Sequence, residues 1–101
     1  VSRAGGRTAV GIGVCGSSIG IAIVAGKLPG VLPANPATVA AARETRTHNN
    51  TNFLALSGDH MTPAKALAIA KAWLTRPFAP DPVRDARYIR RYLQTVRLDR
   101  G

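Results

Sequence analysis

With 101 residues, the chain has room for one domain with a core and not for two. Apolar residues make up 46% and charged residues 19%, which excludes a disordered tail, and fourteen Lys and Arg against five Asp and Glu give a formal charge of +9 that favours an acidic or phosphorylated partner. A single cysteine excludes an internal disulfide, so an intracellular, reducing compartment, the cytoplasm, is the default expectation.

Residues 9–26 carry no charge and follow Arg3 and Arg7, which raises a signal peptide or a membrane helix as one reading of this stretch. Five glycines and two serines lower its hydrophobicity, and those from Gly16 to Gly20 are clustered as in a turn, so no membrane insertion is expected. TAVGIGVC, residues 8–15, is short, rich in Val and Ile and apolar on both faces, as an interior parallel strand would be. After the GSSIG turn, Ile19, Ala22, Ile23 and Gly26 recur at helical spacing and predict a helix that packs this face on a sheet and stops at Gly26 and Pro29.

GVLPA, residues 30–34, reads as a short strand weakened by Pro33. Asn35 as cap and Pro36 at the first helical position predict a second helix running to about Thr47. NFLALS, residues 52–57, is another short buried strand, and Thr62 followed by Pro63 opens a third helix with Ala66, Ile69, Ala70 and Trp73 as its buried stripe. TRPFAPDP, with three prolines in eight residues, is an extended connector. The last helix, residues 83–96, carries Ile89, Tyr92, Leu93 and Val96 on one side and Arg84, Arg87 and Arg91 on another. Six arginines (Arg84, Arg87, Arg90, Arg91, Arg97, Arg100) fall in the last eighteen residues, so much of the charge excess is local. Such a face suits either solvent or a phosphate.

Strands that alternate with helices imply an α/β fold, a Rossmann-like parallel sheet with flanking helices in three layers (α/β/α). Ligands of such sheets sit beyond the carboxyl ends of the strands, where Cys15 and Ser57 fall. A turn leading from a strand into a helix aims several backbone N–H groups at one point, and the helix dipole adds positive potential there. The same potential favours the thiolate of Cys15, so the residues alone leave Cys15 open between a small buried hydrophobe and a base or nucleophile. THNNTN, residues 47–52, is the second polar cluster: His48 can move a proton near neutral pH, and Asn49, Asn50 and Asn52 suit either sugar hydroxyls or turns. One cysteine and two widely spread histidines give no metal-site spacing.

GIGVCGSSIGIAIVAGKLPGV, then HNNTNFLAL, then TPAKALAIAKAWL, taken in that order and spacing, resembles the sugar-phosphate isomerases of the ribose-5-phosphate isomerase B and galactose-6-phosphate isomerase family, over residues 10–74 and more loosely beyond. The resemblance implies an aldose-ketose isomerase of carbohydrate metabolism, of the pentose phosphate pathway type, that works through an enediolate without metal or cofactor. Its substrate would be a small sugar phosphate, and its assembly a homodimer or higher oligomer, or a heteromer with a paralogue.

Cys15 matches the family's proton-transfer base and Ser17 a threonine of its oxyanion loop, whose N–H groups run through Gly16, Ser18, Ile19 and Gly20. His48 matches a histidine linked to sugar ring opening, Asn49 a substrate-contacting asparagine, and Arg84 and Arg87 are the nearest matches to phosphate-binding arginines. The family's opening strand and SDHAG loop have no match, so the resemblance implies a single isomerase domain over residues 1–101 without that front segment. Ser18 replaces the second glycine of CGTGIG, Leu32 the arginine of PGIR, SGD stands for GAR at residues 57–59, and PDPVRDAR stands where the family has GGRHxxR. These departures leave a noncatalytic or heteromeric subunit of the same fold as the alternative, and a nucleic-acid-binding module through the arginine helix, which carries no nucleic-acid motif, as a second one.

Overall fold

The run FLALS is apolar throughout and bounded by polar turns, which suits a strand covered on both faces. The computed structural model describes residues 3, 4 and 7–98, and Arg100 of the basic cluster lies outside them. In chain order the elements are β1 (Arg3–Ala4), β2 (Arg7–Thr8), β3 (Gly11–Cys15), α1 (Ile19–Gly26), β4 (Pro33–Ala34), α2 (Val39–Asn49), β5 (Phe53–Ser57), α3 (Pro63–Thr75) and α4 (Ala86–Leu98). β1 and β2 form an antiparallel pair, while β3, β5 and β4 form a parallel sheet with β5, the FLALS strand, in the centre. The α/β expectation therefore holds, with α1 on one face of the sheet, α2 and α3 on the other, and α4 packed on α2.

Alternation along β5 divides the two faces. Leu54 and Leu56 point into the main core with Ala42, Ile69 and Trp73. Phe53 points the other way, toward Gly11 and Gly13 of β3 and Ile21 of α1. A Cβ at Gly13 would collide with Ile21 and with Phe53 Cζ, so the glycine is what lets α1 lie close on the sheet.

Among the described residues the predicted first strand, β3, lies at an edge of the sheet and not in its interior. It begins at Gly11, three residues later than its apolar run, and pairs in register with β5 alone, Gly11 opposite Phe53 through Cys15 opposite Ser57. Its alternation leaves Ile12 45% and Val14 61% exposed on the α3 side. The helix stripe of α1 also differs: Ala25 is buried and Ile21 and Ala22 half-buried, whereas Ile19 and Ile23 face outward. The run's uniform hydrophobicity hid that rotation, because every position was apolar enough to serve.

Helix entries follow local chemistry. Thr62 caps α3, its hydroxyl accepting from Lys65 N–H at 3.2 Å with Pro63 next, as the sequence predicts. The cap of α2 is Thr38, accepting from Ala41 N–H at 3.0 Å, and not Asn35. Asn35 instead donates its amide to Ser18 Oγ at 3.4 Å, and α2 runs on to Asn49. α4 begins at Ala86 because Asp81 and Pro82 first form a turn, in which Asp81 Oδ1 accepts from Val83 and Arg84 N–H at 2.9 and 2.8 Å. Ile89, Tyr92 and Val96 are half-buried, and Leu93 remains 48% exposed. The uncharged residues 9–26 divide into strand, turn and helix, and no helix among the described residues is long and apolar enough to cross a membrane.

Trp73 is 1% exposed, and its indole N–H donates to Thr51 Oγ1 at 2.9 Å, which in turn donates to Thr45 Oγ1 at 3.1 Å. Replacing Thr51 by the near-isosteric valine leaves that buried N–H without an acceptor, a loss of about 1–3 kcal/mol. The expected result for Thr51→Val is a lower urea midpoint with an unchanged slope; a midpoint equal to that of the unmodified chain would show that this bond contributes nothing.

Candidate active site

At the carboxyl edge of the sheet, two turns lie side by side. The first leaves β3 at Cys15 and passes through Gly16, Ser17 and Ser18 into α1; the second leaves β5 at Ser57 and passes through Gly58, Asp59 and His60. The pairing continues beyond the strands: Gly58 N–H donates to Cys15 carbonyl at 2.8 Å and Asp59 N–H to Gly16 carbonyl at 3.1 Å. Ser57, 7% exposed, donates its hydroxyl to Gly16 carbonyl at 2.5 Å and accepts from His60 N–H at 3.1 Å.

Within the first turn the donors are unevenly used. Ile19 N–H is taken by Ser17 Oγ at 3.3 Å, whereas Ser17, Ser18 and Gly20 N–H have no acceptor among the described residues. Open space lies over Gly20. Ser18 sits in the left-handed region at φ 68°, where a glycine costs nothing and a serine about 1 kcal/mol or more. Cys15 is a free, half-buried thiol. The structure thus places Cys15, Gly16, Ser17, Ser18 and Gly20 on one turn, with backbone donors that have no acceptor among the described residues and with Ile19's donor already engaged.

His48 and Asn49 are elsewhere. They end α2, which returns the chain to the start of β5, so they stand at the amino edge of the sheet. The five residues of β5 separate the two edges by about 13 Å. Within one chain the structure does not bring His48 to Cys15.

His48 instead stacks on Tyr88, ring centroids 4.2 Å apart and planes 12° from parallel, and the Arg87 guanidinium lies over Tyr88's ring at 4.8 Å. These side chains line a cleft of about 480 Å³ with Arg76, Arg84 and Asp85 among its other walls, large enough for a small phosphorylated ligand. Arg84 and Arg87 thus line one cleft with His48, a grouping the sequence does not predict, and Arg76 joins them from the proline-rich connector. Asn49 lines a neighbouring cavity with Thr51 and Tyr92.

Arg46 serves a structural end: its guanidinium donates to Arg76 carbonyl at 2.9 Å, to Asn50 Oδ1 at 3.0 Å and to Thr51 carbonyl, and lies 5.9 Å over the Trp73 ring. Burial lowers its pKa from the usual arginine value. Among the described residues no group of three or more His, Cys, Asp or Glu gathers as a metal site.

Comparison with known proteins identifies the family. The family profile described as Ribose/Galactose Isomerase matches residues 2–91. The DNA damage-repair/toleration protein DRT102 of Arabidopsis thaliana is 38% identical over 78 residues, 77% of this chain and 25% of that protein. Ribose-5-phosphate isomerase B of Mycolicibacterium paratuberculosis is 38% identical over 73 residues, 72% of this chain and 46% of that one. The crystal structure of ribose-5-phosphate isomerase B from Mycoplasma genitalium with bound ribulose-5-phosphate superposes with a TM-score of 0.82 at 29% identity, covering 91% of this chain and 57% of that one. The chain therefore spans between a quarter and somewhat over half the length of these relatives.

One electrostatic feature of the arginine cleft is directly measurable. The Arg84 guanidinium, bonded to Asp85 at 2.8 and 3.1 Å, together with the bond from Asp81 N–H, lowers the Asp85 pKa from 3.8 to about 2. A carboxylate held below its unfolded value adds stability that is fully present above that value and is lost as pH falls through the folded one. The turn that opens α4 is therefore expected to hold down to about pH 4 and to weaken toward pH 2. Carboxyl-carbon NMR should find Asp85 titrating near 2, and higher in Arg84→Gln; an ordinary aspartate midpoint in the unmodified chain would contradict the pairing.

Proposed function

The chain belongs to the ribose/galactose isomerase family, and we propose that it works as an aldose-ketose isomerase of a sugar phosphate, of the ribose 5-phosphate to ribulose 5-phosphate type, at a site that two copies complete. The observation that carries this reading is the turn after β3, where the Cys15 thiol is followed by N–H groups that have no acceptor among the described residues. Isomerisation needs a base for a carbon-bound proton and donors for the oxygen that becomes negative, and this turn offers both.

In the proposed reaction the open-chain aldose lies over Gly16–Gly20 with its C1 oxygen facing the free N–H groups. The Cys15 thiolate takes the proton from C2, and the electron pair passes through the C1–C2 bond onto O1, giving an enediolate. That anion is stabilised by donors already in place, so little reorganisation opposes its formation. The thiol returns its proton to C1 while the hydroxyl proton on O2 passes to O1, which leaves the ketose and restores the thiolate. Ser17 contributes through its backbone donor and by fixing the first N–H of α1.

Ring opening and phosphate binding fall to the other edge. His48 can carry the proton between the ring oxygen and the C1 hydroxyl, Asn49 can meet a hydroxyl, and Arg84 and Arg87 can hold the phosphate with planar donors. Because the two edges stand apart in one chain, the reading requires that the His48 edge of one copy face the Cys15 edge of another. A dimer with two such sites, soluble and cytoplasmic, is the simplest assembly.

The open side of β3 favours a second reading. Ile12 and Val14, exposed where the core strand next to them is covered, give a partner of the same fold an apolar surface, which suits a subunit that works as part of a heteromer.

Conversion of ribose 5-phosphate to ribulose 5-phosphate tests the first reading. Cys15→Ala and His48→Ala are each expected to abolish most turnover, and mixing the two variants should restore about a quarter of it, since half the random dimers keep one of two sites intact. Turnover by Cys15→Ala equal to that of the unmodified chain would remove the thiol from the reaction, and variants that fail to complement would remove the shared site.

A further inference from the structure

The turn after β3 can donate hydrogen bonds, yet a sugar chain presents hydroxyls that need acceptors as well. Cys15 is engaged with the carbon proton in the reading above, and Ser17 Oγ already accepts from Ile19 N–H. At the same edge the Asp59 carboxylate, an acceptor only, is suited to the task. We propose that Asp59 is a substrate-binding and specificity-determining residue of this site, its carboxylate accepting hydrogen bonds from hydroxyls of the bound sugar chain. The inference rests on the isomerase reading of the Cys15 edge and deepens it.

Position is the first argument. Asp59 N–H is bonded to Gly16 carbonyl and Gly58 N–H to Cys15 carbonyl, so the backbone of Asp59 is fixed across from the turn. The buried Ser57 hydroxyl holds the two turns together from below. The side chain then leans over Gly16: a Cβ there would stand 2.6 Å from Asp59 Oδ2, so a larger residue would push the carboxylate aside. Glycine at 16 is what leaves room for it.

Availability is the second. Asp81 and Asp85 are spent on the turn before α4. Asp59 is exposed, and its carboxylate has no hydrogen bond or ion pair among the described residues. Nor does it close back on the free N–H groups beside it, so donors and acceptor both remain open to a ligand. That mixed character selects among anions. A bare phosphate meets donors and a repelling carboxylate; a polyhydroxylated phosphate meets donors for its oxygens and a carboxylate for its hydroxyls.

Amide-resolved NMR titration of the full chain with ribose 5-phosphate, and separately with inorganic phosphate, tests this. In the unmodified chain ribose 5-phosphate should shift the Gly16 to Gly20 amides. Asp59→Ala should weaken that response about tenfold, and the near-isosteric Asp59→Asn by less, since a hydrogen bond to a charged group is lost or exchanged for a neutral one. Inorganic phosphate should bind either variant at these amides no more weakly than the unmodified chain. Ribose 5-phosphate shifts of equal midpoint in all three proteins would overturn the role of Asp59 while leaving the site itself standing. Absence of any shift at Gly16 to Gly20 in the unmodified chain would overturn the isomerase reading of this edge, and the inference with it. Loss of both ligands alike would show only a structural role for the carboxylate and would also overturn it.

Discussion

The in-register pairing of Gly11–Cys15 with Phe53–Ser57 decides the placement of nearly everything else. Register brings Cys15 level with Ser57, and that in turn lets the Ser57 hydroxyl reach the carbonyl of Gly16 and the backbone of residues 58 and 59 continue the ladder. A shift of one residue would move Leu54 and Leu56 off the core face and would separate the two turns at once. Burial and chemistry are therefore enforced by the same set of bonds: the leucines that pack against Trp73 and Ile69 hold β5 in place, and β5 holds the turn beside the thiol.

Much of this was legible in the sequence, for reasons that can be named. The GSSIG turn, the Thr62 and Pro63 entry of α3 and the FLALS strand are local signals, each decided within a few residues of the chain, and each appears where it was expected. Errors arose where a local signal competed with a tertiary one. Asn35 and Pro36 form a good helix entry, but Asn35 is drawn to Ser18 from across the sheet, and Thr38 opens the helix three residues later. TAVGIGVC is apolar on both faces, which cannot tell a strand with two neighbours from one with a single neighbour, and among the described residues β3 pairs with β5 alone.

His48 illustrates a different limit. Its residue type and its neighbours in the sequence carried a chemical meaning, but nothing in spacing says at which end of a sheet a helix terminus lies until the crossover order is known. Once α2 is placed between β4 and β5, a histidine in its last turn must be at the amino edge, because the helix runs back against the strands. The placement of Arg76 and Asp59 is hidden for the opposite reason. Each stands in a segment whose punctuation, prolines in one case and a glycine turn in the other, explained the residues around it without asking what the charged side chain faced.

The two edges also divide the charge of the molecule. Arginines gather at the cleft beside His48, where Arg76, Arg84 and Arg87 outnumber the single carboxylate of Asp85, itself occupied by Arg84. Such a surface draws in an anion without discriminating among anions, since guanidinium groups bind any phosphate that reaches them. On the proposed reading discrimination comes from the carboxyl edge, where the partners are directional: N–H groups fixed by the turn, a thiol on β3 and a carboxylate that lies over Gly16 on a fixed backbone. On that reading attraction and recognition are separable, because the strands keep the arginine cleft and the turn after β3 at opposite ends of the sheet.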